Sequence, residues 1–381
     1  MRAMKPGDRR PRAGAGSPAR SVAAWIATVG LGAVALLLLA TCSGGPGSGS
    51  PGSSDGAIPP VSTAPPPASS GQFNAVHAAA VLQPAVGMVI IPSGHGTTTG
   101  SGFVIASQGG TSYMVTNNHV VEGAGQQVQV LMPDGRHFSA QVHGADPLDD
   151  VAVLKVGSTL PVAQLADSNR ARVGEPAMAI GSPLGNAGTV TVGVISALHR
   201  SVQGVSGGPG TSPEDLSDVL QTDAPINPGS SGGPLADGNG RVVGMTTAGN
   251  ENASGIGYAI PSLVVRRIAG NLIEGRPAGH PYLGVCYKSL EEALASGQQV
   301  QGYGVLVTGT VPDGPADKVE IRAGDMIEKV DGVNLNNGQT LAGVLQLHNP
   351  GDTLPMTVSR NGSTQDVRIT VAERPSSTPS C

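Results

Sequence analysis

The chain has 381 residues, of which 39% are hydrophobic and only 2% aromatic, and its formal net charge is −5. This length predicts two domains whose cores are built from Val, Ile, Leu and Ala. Basic residues are concentrated in the first twenty positions, so the remainder is acidic and has no Lys/Arg stripe. Phosphate contacts come from basic side chains, so this balance argues against nucleic acid as a partner.

An uncharged segment follows the basic residues 1–20. The run from Val22 to Ala40 has no charge and is long enough to span a bilayer. We expect 21–41 to be a transmembrane anchor or signal, with 1–20 in the cytoplasm and the rest of the chain outside it. A lipoprotein signal cut before Cys42 is the alternative, although Thr41 fits that cleavage site poorly. Both interpretations tether the protein to the membrane.

The stretch 42–71 consists mainly of Gly, Pro and Ser. Such a composition buries too little apolar surface to offset the entropy of ordering, so we predict a linker. Besides Cys42, the chain has only Cys286 and Cys381, too few for a disulfide framework. The sequence leaves open a single bridge between these two cysteines.

Residues 72–275 contain short runs of β-branched and small apolar residues separated by Gly, Pro, Asn and Asp. Examples are "VGMVII", "GSGFVIAS", "QVQVLM", "VAVLKV" and "TVTVGVISAL". Their spacing is typical of an all-β barrel or sandwich. A pattern for a longer helix, "PSLVVRRIAGNLIEG", occurs near 261–275. The segment is therefore predicted to be an all-β domain capped by one helix.

Three residues of this domain have the chemistry of nucleophilic catalysis. His119 ends an apolar strand, Asp150 comes directly before a buried-looking strand, and Ser231 stands in the turn "NPGSSGGP". Taken singly, each could be a core or turn residue. In the order His, Asp, Ser over an all-β chain, they match the chymotrypsin arrangement. The glycines around Ser231 are expected to let a substrate approach the backbone closely.

Several motifs in one order resemble those of the HtrA/Deg family of trypsin-like serine proteases. They are "TNNHVV", "DDVAVLKV", "AIGSPLG", "TVTVGVIS", "QTDAPINPGSSGGPL" and "GIGYAIP". The resemblance covers most of residues 80–265 and implies a mainly β, chymotrypsin-like double β-barrel. It makes Ser231 the nucleophile, His119 the general base and Asp150 the residue that orients the base.

The same resemblance implies an oxyanion hole in the turn Gly229, Ser230 and Ser231, whose backbone N–H groups would stabilise the tetrahedral intermediate. The chain departs from the family at Ser230, where Asn is usual, and at Pro225, where Ala is usual. Neither departure removes a member of the triad.

In this fold, the residue six positions before the nucleophile forms the base of the primary specificity pocket. Here that position is Pro225, with Ile226 beside it, and the opposite wall is expected at Ile256, Gly257 and Tyr258. None of these residues is charged, and a buried Lys or Arg side chain would need an acid to pair with. The sequence therefore predicts cleavage after Val, Ala, Ile or Leu.

Residues 276–374, followed by a tail over 375–381, resemble the α+β PDZ domain that follows the protease in this family. The motifs are "YLGVCY", "GPADKVEIRAGDMIEKVDG" and "QTLAGVLQLH". The resemblance implies that the loop Tyr282, Leu283, Gly284 and Val285 binds a peptide carboxylate. The peptide would add as a strand facing a helix near 340–348.

Together these features predict a membrane-tethered serine endopeptidase outside the cytoplasm, in a bacterial cell envelope. Its substrates would be unfolded, misfolded or processed proteins, in protein quality control or a stress response, and we expect neither a metal nor another cofactor. The alternative is a non-catalytic adaptor or chaperone-like holdase on a protease fold. Relatives commonly form homotrimers through an N-terminal cluster of aromatic residues. In this chain only Phe73 stands near that place, so a homotrimer is possible but the oligomeric state stays open.

Overall fold

The computed structural model describes residues 57–62, 73–93, 96–125, 128–205, 214–249, 255–300, 302–336, 338–377 and 381. The predicted cytoplasmic segment, the predicted anchor, Cys42 and most of the predicted linker lie outside these residues. In the ranges that are described, no helix is long and apolar enough to cross a membrane.

The first β-barrel follows the helix α1 (Ala75–Leu82) and a 3₁₀ turn (Gln83–Ala85). Its strands are β1 (Val86–Ser93), β2 (Gly96–Gln108), β3 (Thr111–Thr116), β4 (Val128–Leu131), β5 (His137–Asp146) and β6 (Val151–Val156), with the one-turn helix α2 (Asn118–Val121) after β3. The antiparallel strands run in the order β1-β2-β3-β6-β5-β4 and close where β1 pairs with β4. The β-branched runs of the sequence fill its interior.

The second β-barrel has the same strand count and closes in the order β10-β11-β12-β9-β8-β7. Its strands are β7 (Pro176–Gly181), β8 (Thr189–Val205), β9 (Glu214–Thr222), β10 (Pro234–Ala236), β11 (Val242–Gly249) and β12 (Gly257–Pro261). Short 3₁₀ turns lie at Ser168–Arg170 and Pro183–Gly185. The prediction of a mainly β double-barrel fold is confirmed.

The predicted capping helix is α3 (Ser262–Ile273), which starts directly after Pro261. One face of α3 is buried in an apolar core that both barrels share. Members of this core from α3, α1 and the two barrels include Val265, Ile268, Leu82, Phe103, Ile105, Met178 and Met245. We call residues 73–275 the double-barrel domain.

Six residues within the predicted linker, 57–62, contact the double-barrel domain. The Ser62 N–H donates to the Leu165 carbonyl over 3.0 Å, Arg241 Nη1 donates to Ser62 Oγ over 3.2 Å, and Ile58 packs against the shared core. Composition alone did not indicate this contact, because Pro and Ser are as common in docked segments as in free ones. Phe73, the one aromatic residue near the place of the relatives' aromatic cluster, lies close to Gly238 of its own chain.

Residues 276–377 and 381 form the C-terminal domain. Its strands are β13 (Pro281–Tyr282), β14 (Val285–Ser289), β15 (Val305–Thr310), β16 (Met326–Val330), β17 (Val333–Asn334), β18 (Thr353–Arg360), β19 (Ser363–Thr370) and β20 (Ala372–Glu373). The helices are α4 (Leu290–Ala295), α5 (Pro315–Lys318) and α6 (Leu341–Leu345). The main sheet has the order β14-β15-β16-β18-β19, so β14 is an edge strand.

A disulfide joins Cys286 on β14 to Cys381, the bridge that the sequence left open. Gly309, opposite Cys286 on β15, provides the space, because a Cβ there would lie 2.9 Å from that of Cys381. The last residue of the chain is therefore fixed to the edge of the sheet.

The two domains contact each other through α3 and the region around α6. Arg267 Nε donates to the Gln346 carbonyl over 2.6 Å. Thr340, the N-cap of α6, donates its hydroxyl to Asp218 Oδ1 over 2.6 Å. Polar contacts therefore fix the C-terminal domain against the double-barrel domain.

Candidate active site

His119 and Asp150 lie on the first barrel, in contact with each other. His119 lies on α2, the one-turn helix that follows β3. The sequence had predicted it at the end of the strand itself. Its Nδ1 is 2.9 Å from Asp150 Oδ2, and its backbone N–H donates to Oδ1 over 3.0 Å. A carboxylate can only accept, so Nδ1 carries the proton and Nε2 is left as a base.

Asp150 is completely buried, and its backbone has the left-handed conformation, φ +52°. The Asn117 side chain stabilises this turn by donating to the Asp150 carbonyl over 3.0 Å. Thr247 on β11 donates its hydroxyl to Asp150 Oδ2, also over 3.0 Å. With the two bonds from His119, the carboxylate accepts three hydrogen bonds, which offset the loss of water around the buried charge.

Ser231 lies in the second barrel, between β9 and β10, in a tight turn that Ser230 maintains. The Ser230 N–H donates to the Asn227 carbonyl over 2.8 Å, and the Ser230 carbonyl accepts from the Thr246 hydroxyl over 2.7 Å. Ser230 is thereby committed to the turn. The Ser230 N–H is therefore not free to donate to a substrate.

The glycines after Ser231 serve packing inside the protein, whereas the sequence suggested close approach of a substrate. Gly232 has φ +84°, and a Cβ there would lie 2.2 Å from the Ser101 carbonyl oxygen. A Cβ on Gly233 would lie 2.3 Å from the Ile180 carbonyl oxygen. Any side chain at these two positions would push the turn that carries Ser231 out of place.

His119 and Ser231 are not joined by a hydrogen bond. Among the residues that the structure describes, none is a hydrogen-bond partner of the buried His119 Nε2. A buried imidazole nitrogen without a partner costs about 1–3 kcal/mol. In unliganded enzymes such catalytic bonds are often long and tighten when substrate binds.

The expected pocket residues come together beside this turn. Gly257 on β12 lies under Ile226, since a Cβ on Gly257 would be 2.5 Å from Ile226 Cγ1. Ile256 and Tyr258 flank Gly257 and are half-buried, and Pro225 is exposed with its carbonyl bonded to Thr191 Oγ1. None of the five expected pocket residues has a charged side chain.

A second candidate site is a cavity of about 320 Å³, which we call the C-terminal groove. The predicted loop Tyr282, Leu283, Gly284 and Val285 forms one wall, and Leu341 and Leu345 of α6 form the facing wall. A further wall, which sequence reasoning missed, comes from the double-barrel domain. It contains Leu148 and Asp149, the two residues directly before Asp150.

Charged side chains surround Asp149. Burial and the nearby charge of Asp146 raise the pKa of Asp149 to about 6, against the opposing effect of His280, Arg267 and Arg374. The hydrogen bond between His280 Nε2 and Asp146 Oδ1, 2.9 Å long, raises the pKa of His280.

Asp146, Asp149 and His280 are close enough to hold a metal ion, since their ligand atoms lie within 4.8 Å of one another. However, His280 Nε2 already bonds to Asp146, and Arg267 Nη2 lies 3.8 Å from Asp149. These cationic groups compensate the carboxylates, so the cluster is better described as an ion-pair network.

Sequence reasoning missed three residues that shape the catalytic site: Asn117, Thr247 and Ser101. The Ser101 N–H donates to the Ser231 carbonyl over 2.8 Å, and its hydroxyl donates to the Gly229 carbonyl over 2.7 Å. All three are short polar residues in or beside strands. Only their position in space, and no sequence pattern, distinguishes them from other Ser, Thr and Asn residues.

Comparisons with known proteins agree with this architecture. Residues 100–245 match the family model of the trypsin-like peptidase domain, and residues 281–371 match that of the PDZ domain. The C-terminal domain is thus a PDZ domain.

Individual relatives give the same result. A probable periplasmic DegP-like serine endoprotease of Chlamydia trachomatis is 37% identical over 289 residues, which is 74% of this chain and 56% of that protein. The putative serine protease HhoA of Synechocystis is 37% identical over 286 residues, 72% of this chain and 70% of that protein. This chain spans little more than half the length of the DegP-like relatives.

Among solved structures, the HtrA-type protease AlgW with a tripeptide superimposes with a TM-score of 0.60 at 34% identity. The match covers 79% of this chain and 97% of AlgW. A double barrel with His119 against Asp150, the ordered motifs and one following PDZ domain lead to one conclusion: the chain belongs to the HtrA family of trypsin-like serine proteases.

Proposed function

We propose that this chain is a serine endopeptidase in which Ser231 is the nucleophile. The observation that carries the proposal is the buried contact of His119 Nδ1 with Asp150, because in the neutral imidazole it assigns the proton to Nδ1 and leaves Nε2 to act as the base. The names of the relatives, serine endoproteases and proteases, point the same way.

The reaction follows from these positions. Ser231 Oγ attacks the scissile carbonyl carbon while its proton passes to His119 Nε2, and Asp150 stabilises the imidazolium that forms. The N–H groups of Gly229 and Ser231 stabilise the oxyanion, by roughly 3–4 kcal/mol per donor. His119 then gives the proton to the leaving amine, and a water molecule hydrolyses the acyl-enzyme by the same steps.

The two adjacent serines allow a sharp test. A fluorophosphonate probe should label the wild-type chain and Ser230→Ala but not Ser231→Ala, and casein hydrolysis should follow the labelling. Unchanged labelling or hydrolysis in Ser231→Ala would refute the assignment. Absence of both in a folded wild-type chain would instead support a non-catalytic adaptor or holdase.

The C-terminal groove is proposed to bind the carboxyl end of a substrate or regulatory peptide, which adds as a strand beside the edge strand β14. Unfolded or misfolded proteins are the proposed substrates, because their termini and apolar segments are accessible to both sites. The role proposed for the enzyme is extracytoplasmic protein quality control.

We also propose that the protein acts outside the cytoplasm, tethered to the membrane by residues 21–41 or by a lipid on Cys42. The Cys286–Cys381 disulfide supports an oxidising compartment, and several relatives are named as periplasmic. The chain should sediment with membranes, and a palmitate analogue should label it only in the lipoprotein case, with loss of label in Cys42→Ser. Full-length protein in the cytosol would contradict the proposal.

A further inference from the structure

The C-terminal groove contains two opposed charges that come from outside its expected walls. Arg374 lies directly after β20, the last strand of the C-terminal domain. Asp149 comes from the double-barrel domain. Both line the cavity that contains the loop Tyr282–Val285, and neither lies in a motif that suggested peptide binding.

The loop presents its backbone donors to the groove. The Leu283 carbonyl accepts from the Ala316 N–H over 2.9 Å, and the Gly284 carbonyl accepts from the Val311 N–H over 2.9 Å. In a trans peptide the N–H points opposite to the carbonyl of the same unit. The N–H groups of Gly284 and Val285 therefore point away from α5, toward the side where an anion would bind.

Arg374 is held beside this loop by its backbone. Tyr282 pairs with Ala372 across the two short strands, and the Arg374 N–H donates to the His280 carbonyl over 2.8 Å. Among the contacts of the described residues, the Arg374 guanidinium has no ion-pair partner closer than its long-range attraction to Asp149. It is a cation at the rim of a site that would bind a carboxylate.

Asp149 places a negative charge in the same groove. Its side chain is 14% exposed, its Oδ1 accepts from Gln346 Nε2 over 3.2 Å, and Arg267 Nη2 and His280 Nε2 each lie 3.8 Å from Oδ2. The two contacts with cationic groups are long, and the short contact is with the neutral amide of Gln346. Asp149 is thus only partly compensated, and an anion entering the groove would be repelled by it.

We propose that Arg374 and Asp149 together select the charge of the peptide terminus: Arg374 attracts a free carboxylate, and Asp149 opposes it while ionised. This inference rests on the proposed peptide-binding function of the groove and names two residues that set its specificity. Asp149 comes directly before Asp150 in the chain. The charge of an anion in the groove would therefore act on the neighbour of a proposed triad residue.

The proposal gives peptide binding a direction in pH. The groups facing Asp149 are Asp146, His280, Arg267, Arg374 and the neutral amide of Gln346. As the pH falls through about 6, Asp149 loses its charge. The hydrogen bond to Asp146 raises the pKa of His280, so this neighbour keeps its positive charge to a higher pH than an ordinary histidine. Loss of the negative charge favours an anionic ligand, so carboxylate-ended peptides should bind more tightly at the lower pH, and amide-ended peptides should respond less.

The test uses the full chain carrying Ser231→Ala, which prevents cleavage, and fluorescent decapeptides ending in Val as free acid or as amide. Arg374→Gln should weaken binding of the acid about three- to tenfold and leave the amide unchanged, a modest effect because the arginine is solvent-exposed. Asp149→Asn should strengthen binding of the acid at pH 8 and flatten its pH dependence. Arg368→Gln on β19 and the exposed Asp134→Asn are matched controls that should change neither peptide.

The possible results separate this inference from the function on which it rests. If the Ser231→Ala chain binds neither peptide, the groove does not take peptide termini, and both proposals fail. If the Ser231→Ala chain binds the acid peptide, the groove binds peptide termini. If Arg374→Gln then weakens binding of the acid and the amide equally, or weakens binding of neither, the proposed charge selection is wrong. Partial recovery of acid binding in Arg374→Lys would support a role of the charge itself.

Discussion

At the scale of single residues, the catalytic site depends on contacts that fix Asp150. Its Oδ2 bonds both His119 and Thr247, and all three residues are buried. A carboxylate that rotates freely would no longer hold the imidazole in the tautomer that leaves Nε2 as the base.

Thr247 is therefore predicted to be a positioning residue. Thr247→Val keeps the shape but removes the donor, and it should lower kcat about tenfold with little change in KM. Thr247→Ser keeps the hydroxyl and should retain most of the activity. Steady-state kinetics on a peptide substrate would check this, and a change confined to KM would contradict the assigned role.

Ile226 is predicted to limit the size of the primary pocket, since it packs directly on Gly257. The wild-type enzyme should cut after Val, Ala, Ile or Leu, with a graded preference because one methylene changes binding by only about 1–3 kcal/mol. Ile226→Ala should shift cleavage toward larger apolar residues such as Phe. Mass spectrometry of casein digests would show this, and a majority of cuts after Lys or Arg would exclude the pocket.

Some of these residues could be predicted from the sequence and others could not. His119, Asp150 and Ser231 stand in motifs with a fixed order, so their roles could be proposed without coordinates. Thr247 acts on Asp150 from the other barrel, and Asp149 faces a groove of the following domain. Such contacts depend on how barrels and domains pack together, and no local pattern encodes that packing.

At the scale of elements, β-branched runs predicted most strands, because the barrels bury one face of each strand and both faces of some. The helix α2 was missed because four residues are too short to show a helical period. Residues 57–62 were missed because composition does not reveal which atoms of a Pro- and Ser-rich stretch find partners, such as those of Ser62 with Leu165 and Arg241.

The Cys286–Cys381 disulfide is predicted to stabilise the C-terminal domain. It closes a loop with a sequence separation of 95 residues, for which the loss of unfolded-state entropy is about 4–5 kcal/mol at most. Cys381→Ser, or a reductant, should lower the Tm of this domain and leave that of the double-barrel domain nearly unchanged. Differential scanning calorimetry would measure both, with Cys42→Ser as the control. Equal loss in both transitions would contradict a local effect.

At the scale of the whole molecule, the ion-pair network between the domains makes stability depend on pH. The pKa of His280 is raised in the folded state, so its contribution is fully present below the unfolded value and is lost as the pH rises through the folded one. The pKa of Asp149 is also raised, so its buried charge costs stability above about pH 6 and this cost is relieved below. Both groups act in the same direction.

We therefore predict that these two groups favour a higher Tm at pH 6 than at pH 9. His280→Gln should reduce the Tm at pH 6 and have a smaller effect at pH 9, while the exposed His137→Gln should change neither. Thermal unfolding at the two pH values would test this. An equal loss from His280→Gln at both would show that its contact with Asp146 contributes no charge-dependent stability.

The bridge between Cys286 and Cys381 also turns most of the C-terminal domain into a covalent ring. When one peptide bond inside a ring is cut, its two pieces stay joined, so a nick between these cysteines would release no fragment. A protease that cleaves its own neighbours could thus accumulate such nicks and still retain the domain. On a denaturing gel, a nicked chain would run as one band without reductant. After reduction of the disulfide it would separate into two smaller fragments.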